Sequence, residues 1–244
     1  MTTDLVSLCV LVVSAFRPVR ETWRRGAALA SVPIDFVEGD GPEARTRLAK
    51  GGVDIVVLDA ALSDADREGA IKASRAAKPP PFILVAAPAG SARFEGVDAI
   101  VAKPADDEAA RAAVERCIRA RLPQRVLIVD DSGTMRSIVR KILSASRYAL
   151  DLSEAEEGIA ALQKLKDGMV DIVLLDYNMP GFNGLETLAE IKRTAPRVMV
   201  VMMSSTMDSA VAEKAQAAGA TFLKKPFYPA DIDATLDKLY GFAR

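Results

Sequence analysis

Short apolar runs alternate with segments of helical periodicity along the whole chain. The segment that begins at 133 shows the helical pattern most clearly, because Met135, Ile138, Val139 and Ile142 stand at positions i, i+3, i+4 and i+7. In the second half the pattern predicts strands over 125–130, 149–153, 171–176, 197–203 and 220–224, and helices that include 133–146, 207–218 and 229–241. This alternation is typical of a parallel sheet covered by helices on both faces.

The first half of the chain carries the same alternation in a shorter form. It predicts strands over 8–14, 33–37, 53–59, 82–87 and 98–102. Only residues 88–97 separate the last two strands, and they include Pro88, Gly90 and Gly96, which are poor helix formers. We therefore expect the fourth helix of this half to be missing or reduced to a turn.

Three segments of the first half are echoed in the same order in the second half. Residues 9–20, 52–59 and 99–104 resemble residues 125–136, 169–176 and 221–226, respectively. Collinear echoes indicate two copies of one unit. The sequence thus predicts an α/β protein with two doubly wound domains, 1–121 and 122–244. We expect a stiff joint at 122–124, after a helix over 105–121.

Composition excludes several classes of function. The 32 basic and 33 acidic residues leave a net charge of −1, which gives no general attraction to nucleic acid or anionic lipid. The chain has no histidine, which excludes a Ser-His-Asp hydrolase, a Cys-His protease, imidazole-bound zinc and a phosphohistidine donor. Cys9 and Cys117 form no close pair in the sequence, and the apolar stretch 8–15 is about half of the ~20 residues that cross a membrane. We expect a cytoplasmic protein without membrane insertion.

Polar side chains follow the predicted strands of the second half at the point where each strand ends. Asp130 and Asp131 follow its first strand, Asp176 ends its third, Ser204 follows its fourth and Lys225 follows its fifth. Taken singly, these residues are ordinary helix caps and turn residues. The carboxyl ends of parallel strands share one edge, however, where three carboxylates would repel one another unless a cation offsets their charge. Oxygen ligands without imidazole or thiolate suit Mg²⁺ or Mn²⁺.

With these motifs, residues 124–244 resemble the receiver domain of two-component response regulators. The motifs are Val-Asp130-Asp131, Leu-Asp176-Tyr-Asn-Met-Pro-Gly, Ser204 and Lys225-Pro-Phe. They are most similar to those of the single-domain chemotaxis and cell-cycle regulators. The resemblance implies a flavodoxin-like fold whose five parallel strands take the order 2-1-3-4-5.

The resemblance also implies a role for each polar residue around the acidic cluster. Asp176 would be the phosphoacceptor that attacks a phosphoryl group on the histidine of a partner. Asp131, Asp176 and the backbone carbonyl of Asn178 would bind Mg²⁺ directly, and Asp130 would act mainly through water.

Three further residues take roles from the same resemblance. Lys225 would neutralise charge on the transferred phosphoryl oxygens. Ser204 would hydrogen-bond a phosphoryl oxygen after transfer and draw its loop inward. Phe222 occupies the position of the aromatic switch, where it lacks the hydroxyl of the tyrosine that is frequent there.

The first half departs from the receiver pattern at most of these positions. Asp59 and Lys103 remain, whereas Ser14-Ala15 replaces the acidic pair, Pro88 replaces the switch hydroxyl and Ile100 replaces the aromatic residue. A single carboxylate should not hold Mg²⁺. We therefore expect a pseudo-receiver in which Asp59 and Lys103 form a structural ion pair.

The leading hypothesis is a response regulator in a histidine-kinase phosphorelay, without enzymatic activity and without a catalytic or DNA-binding output domain. Its partners would be a histidine kinase or histidine phosphotransfer protein and a downstream protein target, and pairing with a second copy stays open. One alternative is the double-receiver portion of a larger effector such as a nucleotide cyclase. Another is an aspartate-dependent phosphatase, which Asn178 disfavours because such enzymes usually carry a second aspartate there.

Overall fold

The computed structural model describes residues 7–91, 94–180, 183–205 and 209–242. The chain divides into two compact units, one of Met1–Arg121 with Tyr240–Arg244 and the other of Leu122–Leu239. The first unit is interrupted after residue 121. The C-terminal residues group with the first unit instead of the second, because the ring of Phe242 packs 5.7 Å from that of Phe82. No helix in the described ranges combines the length and apolarity needed to span a bilayer.

The first unit is a parallel five-stranded sheet in the order β2-β1-β3-β4-β5. Its elements are β1 Leu8–Val13, α1 Arg17–Ala28, β2 Ile34–Gly39, α2 Gly41–Ala49, β3 Ile55–Asp59, α3 Asp64–Ala76, β4 Phe82–Ala87, β5 Ala99–Ala102 and α4 Asp107–Arg121. Between β4 and β5 the described residues form no helix, which confirms the expectation for this half. Gly90 and Gly96 adopt φ values of 79° and 74°, which an α-helix does not contain.

The second unit repeats this topology with the order β7-β6-β8-β9-β10. Its elements are β6 Gln124–Val129, α5 Gly133–Ser144, β7 Leu150–Ala155, α6 Gly158–Lys166, β8 Ile172–Asp176, α7 Gly184–Thr194, β9 Met199–Ser204, α8 Ser209–Ala217, β10 Thr221–Lys224 and α9 Pro229–Tyr240. Both sheets confirm the predicted doubly wound architecture. The first two positions of the predicted helix 207–218 lie outside the described residues.

Central strands carry the core of each unit. Every residue of β3 and of β8 is buried, because helices cover both faces of a parallel sheet. The edge strands β2 and β7 are only partly buried. Asp59 and Asp176, as the last residues of β3 and β8, are therefore buried although they are charged residue types.

Helix α1 approaches helix α4 closely at Gly26. A Cβ atom on Gly26 would lie 2.5 Å from the Cβ of Ala110 and 2.6 Å from the backbone nitrogen of Arg111. Contacts this short require the α4 backbone to move. Only glycine lets the two helices pack at their present separation.

We expect Gly26→Ala to lower the free energy of unfolding of the first unit by about 1–3 kcal/mol, the usual cost of overpacking. Alanine is intrinsically better than glycine in a helix by about 1 kcal/mol, but the backbone clash outweighs that gain. Urea denaturation followed by the fluorescence of Trp23, which is buried in the same helix, measures the change.

The matched control is Gly69→Ala in α3. There a new Cβ would meet only the side chain of Arg45, at 3.2 Å, and a long side chain can move aside. Gly69→Ala should therefore leave stability within about 1 kcal/mol of the parent or raise it. Equal losses in the two variants would contradict the role assigned to Gly26.

Candidate functional site

Four neighbouring strands of the second sheet end in polar residues. Asp130 follows β6, Asp176 ends β8, Ser204 ends β9 and Lys225 follows β10. Because these strands lie side by side in the order β10-β9-β8-β6, their carboxyl ends meet at one edge. The tertiary structure thus brings together residues that are up to 95 positions apart in the sequence.

Three carboxylates form the centre of this edge. Each of Asp130, Asp131 and Asp176 offers an oxygen, and these oxygens lie within 4.8 Å of one another. Asp130 and Asp176 are 1% and 5% exposed, whereas Asp131 is exposed and opens into a groove that Glu156 and Pro180 also line. A hard divalent cation prefers such an all-oxygen set, and the donor set fits Mg²⁺. Among the residues that the structure describes, no second group of three such ligands lies this close together.

Lys225 is the cation that faces the carboxylates directly. Its Nζ donates hydrogen bonds of 2.8 Å to Oδ2 of Asp130 and of 2.8 Å to Oδ1 of Asp176. Burial disfavours the charge on Lys225, but the bonds to the two aspartates outweigh burial and raise its pKa. Lys225 therefore stays protonated and offsets part of the negative charge.

The surroundings of Asp176 raise its pKa above the ordinary value for aspartate. Burial raises the pKa of Asp176, and the charges of Asp130 and Asp131 add to that effect. The hydrogen bond from Lys225 opposes the rise without cancelling it. The ionised form of Asp176 is thus destabilised in the fold, and a cation bound among the three carboxylates would relieve it.

The other predicted site residues lie around this cluster. Ser204 is fully buried, and its backbone carbonyl accepts a 2.8 Å hydrogen bond from the N–H of Lys225. Phe222 lies in β10, partly buried against the core of the second unit. Asn178 is exposed on the loop that follows Asp176.

Two features of the site were missed at the sequence level. Gly184 lies against the backbone behind Asp176, where an added Cβ would come within 2.5 Å of the Asp176 carbonyl oxygen. Asn183 caps α7 in a capping box with Glu186, a signal that the spacing Asn-x-x-Glu carries.

The second feature is Arg136, which hydrogen-bonds the backbone carbonyl of Asp130. The sequence does carry a signal for Arg136, because both copies of the first repeated segment end in an arginine, Arg20 and Arg136.

The corresponding edge of the first unit holds a different arrangement. The Nζ of Lys103 lies 2.9 Å and 3.1 Å from the two carboxylate oxygens of Asp59, and Ser14 donates a 2.7 Å hydrogen bond from the position of Asp130. Burial raises the pKa of Asp59, but the hydrogen bonds from Ser14 and Lys103 outweigh it and the pKa falls below the ordinary value. Asp59 is therefore a satisfied, ionised partner of Lys103.

Strand register corrects one sequence-level correspondence. Asp59 pairs with Ala86, and Asp176 pairs with Met203. Ala86 and Met203 are therefore equivalent positions, and so are the residues that follow them. Ala87, and not Pro88, corresponds to Ser204. The short segment after β4 obscured this alignment at the sequence level. The first unit still lacks a hydroxyl at this position.

Comparison with known proteins identifies the second unit. Residues 126–237 match the family described as response regulator receiver domain. The chemotaxis protein CheY of Thermotoga maritima is 35% identical over 117 residues, which cover 48% of this chain and 97% of CheY. CheY-3 of Vibrio cholerae is 34% identical over 119 residues, which cover 48% of this chain and 91% of CheY-3.

Solved structures extend the similarity of fold to both units. A structure described as a "probable two-component system response regulator/GGDEF domain protein" has a TM-score of 0.54 and 21% identity, and covers 95% of this chain and 97% of that one. A second solved response regulator/GGDEF domain protein has a TM-score of 0.51 and 21% identity, and covers 95% and 99%. At this identity the likeness shows the fold alone.

The opposite electrostatic states of Asp59 and Asp176 predict opposite effects of the same substitution. At pH 7 without metal, Asp176→Asn should stabilise the second unit, because it removes a buried carboxylate whose ionisation opposes folding. Asp59→Asn should destabilise the first unit by about 1.5–3 kcal/mol, the usual value of hydrogen bonds to a charged group. Domain-resolved hydrogen exchange in EDTA measures both effects.

The pH dependence has opposite sign at the two positions. The contribution of Asp59 is complete above the ordinary aspartate pKa of 3.8 and is lost as pH falls through the lower pKa of the folded state. The penalty from Asp176 grows as pH rises above 3.8 and is complete above its raised folded-state pKa. The gain in Asp176→Asn should therefore disappear in acid. Shifts of the same sign in both variants at pH 7 would contradict this assignment.

Proposed function

The chain belongs to the response-regulator receiver family, and on that premise we propose that Asp176 accepts a phosphoryl group from a partner's phosphohistidine. The partner would be a histidine kinase or a histidine phosphotransfer protein. The single observation that supports this proposal is the buried carboxylate Asp176, held between Lys225 and the other two carboxylates at the edge of the sheet.

In the proposed reaction a carboxylate oxygen of Asp176 attacks phosphorus as the bond from phosphorus to the histidine nitrogen breaks. The electron pair of the broken bond stays on the histidine nitrogen, which takes a proton from solvent, so the products are an acyl phosphate on Asp176 and a neutral imidazole on the partner. Asp131, Asp176 and the backbone carbonyl of Asn178 would hold Mg²⁺ directly and Asp130 mainly through water, and the ion would supply charge neutralisation for the transferred oxygens. The groove beside Asp131 gives the donor an approach from solvent.

The residues around Asp176 then divide the work of stabilising the phosphorylated state. Lys225, already bonded to Asp176, offers its ammonium group to a phosphoryl oxygen. Ser204 would turn its hydroxyl toward another phosphoryl oxygen and draw the end of β9 inward. Phe222 would follow by rotating inward, without a hydroxyl to form a further hydrogen bond.

We assign the first unit a pseudo-receiver role. Asp59 already accepts hydrogen bonds from Ser14, Lys103 and the backbone N–H of Ala61. No second carboxylate stands beside Asp59 at the positions of Asp130 and Asp131, so a metal ion would lack ligands there. A new group on Asp59 would also have to displace the hydrogen bonds that Asp59 already accepts. In this proposal the unit serves as a scaffold.

The output of phosphorylation would be a changed protein surface around β9, α8, β10 and α9. We propose that this surface recognises a downstream protein or a second copy of the chain, with no role for nucleic acid and no enzymatic turnover beyond loss of the phosphoryl group. Such a switch requires that the phosphorylated conformation bind its partner more tightly, by about 1–3 kcal/mol of coupling.

We expect acetyl phosphate with Mg²⁺ to place an acyl phosphate on Asp176 only. Mass spectrometry of peptides should show a labelled peptide with Asp176 in the parent protein and in Asp59→Asn. Asp176→Asn should lose at least nine-tenths of the label, because Asp130, the other buried carboxylate bonded to Lys225, is proposed to hold the metal ion and not to accept the phosphoryl group. Comparable labelling of Asp59 would refute the pseudo-receiver assignment.

Beryllofluoride with Mg²⁺, which mimics the phosphoryl group on Asp176, should slow hydrogen exchange or change self-association around residues 204–225. Residues 88–103 should stay unaffected unless they form the interface. The control is Asp176→Asn, which cannot hold the mimic. Unchanged exchange over 204–225 with fluorine NMR showing the mimic bound would mean that this receiver does not switch by the proposed route.

A further inference from the structure

Arg136, in the first turn of α5, contacts three groups beside the acidic cluster. Its Nη1 donates a 2.8 Å hydrogen bond to the backbone carbonyl of Asp130. Its Nε lies 3.1 Å from Oε2 of Glu154, and its Nη2 lies 2.8 Å from Oε1 of Glu156. The side chain of Arg136 is 11% exposed, whereas that of Glu156 is 79% exposed, so water competes mainly for the bond to Glu156 and little for the bond to the Asp130 carbonyl.

The carbonyl that Arg136 binds belongs to the peptide group between Asp130 and Asp131. Two further bonds tether the same turn: the N–H of Asp130 donates to the carbonyl of Ala155 at 3.3 Å, and the N–H of Ser132 donates to Oδ1 of Asp130 at 3.0 Å. The side chain of Asp131 itself is exposed. The direction of its carboxylate therefore depends on how firmly its backbone is held.

The first unit supplies an internal comparison. Arg20 occupies the equivalent place and donates to the backbone carbonyl of Ser14. Within the described part of the chain, however, the Nε of Arg20 and Oε2 of Glu38 are buried without hydrogen-bond partners. Asp40, which stands where the second unit has Glu156, instead caps α2. The threefold anchoring of the arginine thus occurs beside the carboxylate cluster and not beside its degenerate counterpart.

We infer that Arg136 is a positioning residue for Mg²⁺, which sets the Asp130–Asp131 peptide so that the Asp131 carboxylate is held ready for the ion. This inference rests on the proposed function of the second unit. Arg136 touches neither the reacting atoms nor a carboxylate of the cluster in the contacts described above. Ordering the turn before the ion arrives removes an entropic cost from binding.

The effect of replacing Arg136 on the affinity for Mg²⁺ distinguishes a positioning role from a purely electrostatic one. Arg136 carries a positive charge near the site, and loss of a cation should by itself tighten the binding of Mg²⁺. Loss of positioning should weaken it, by about 10-fold, as is usual when a residue that orients a metal ligand is removed. The two explanations predict opposite signs.

The experiment is calorimetric titration of the full chain with Mg²⁺ alone. Arg136→Ala should bind about 10-fold more weakly, and Arg136→Lys about threefold, since lysine keeps the charge and one hydrogen bond. Asp131→Ala, which removes a proposed ligand, provides the reference for a damaged site. Arg20→Ala is the matched control, because it removes the same carbonyl contact beside Ser14, and it should leave the affinity unchanged.

The rate of labelling by acetyl phosphate at increasing Mg²⁺ concentration provides a second readout. In Arg136→Ala the half-saturating Mg²⁺ concentration should rise about 10-fold, while the rate at saturation stays within about twofold of the parent rate. If circular dichroism shows that Arg136→Ala does not fold, the folded Arg136→Lys variant decides the question. Unchanged or tighter Mg²⁺ binding in the folded variants would overturn the inference.

Failure of the proposed function would give a different result. If the parent protein binds Mg²⁺, Arg136→Ala weakens binding and neither forms an acyl phosphate, then the positioning role stands and phosphoryl acceptance by Asp176 is refuted. If the parent protein is labelled on Asp176 and Arg136→Ala binds Mg²⁺ equally well, phosphoryl acceptance stands and the positioning role is refuted.

Discussion

Mutual repulsion of three carboxylates is the constraint on which the second unit depends. Oxygens of Asp130, Asp131 and Asp176 lie within 4.8 Å of one another at the ends of buried strands, where water screens the buried Asp130 and Asp176 poorly. Lys225 offsets part of this charge with hydrogen bonds to two of them. Burial, together with the charge that remains, raises the pKa of Asp176, so positive charge is favoured at this edge of the sheet. The chemistry that we propose uses this unresolved repulsion.

The first unit shows what the same scaffold becomes when the repulsion is removed. Ser14 stands in the place of Asp130 and turns a repelling neighbour into a hydrogen-bond donor for Asp59. With Lys103 also bonded, the carboxylate is satisfied and its pKa falls. Replacement of the acidic pair by Ser14 and Ala15 at the end of the first strand is thus accompanied by a pKa shift of opposite sign. The sheet order and the lysine contact stay the same.

Burial couples the site to the rest of the second unit. Asp176 ends a strand whose residues are all buried, and its neighbour β9 ends in the buried Ser204. Close packing means that such strand ends do not deform gradually, so a new group on Asp176 has to be accommodated by a shift of neighbouring elements. The turn that carries Asp131 is held from the other side by Arg136. The side of the site proposed to bind the metal is therefore anchored, while the β9 side is the one proposed to move.

The sequence by itself determined the two units, their sheets and the identity of the acidic cluster. Apolar runs mark strands in a parallel sheet, and the residue after each run, such as Asp130 or Lys225, must lie at the carboxyl edge. Only the tertiary structure decided that Ala87 matches Ser204, that Phe242 groups with the first unit and that Arg136 anchors the Asp130 carbonyl. The opposite pKa shifts of Asp59 and Asp176 were also beyond the sequence. Periodicity is local, whereas register, hydrogen-bond partners and the balance between burial and charge depend on atoms that are distant in the chain.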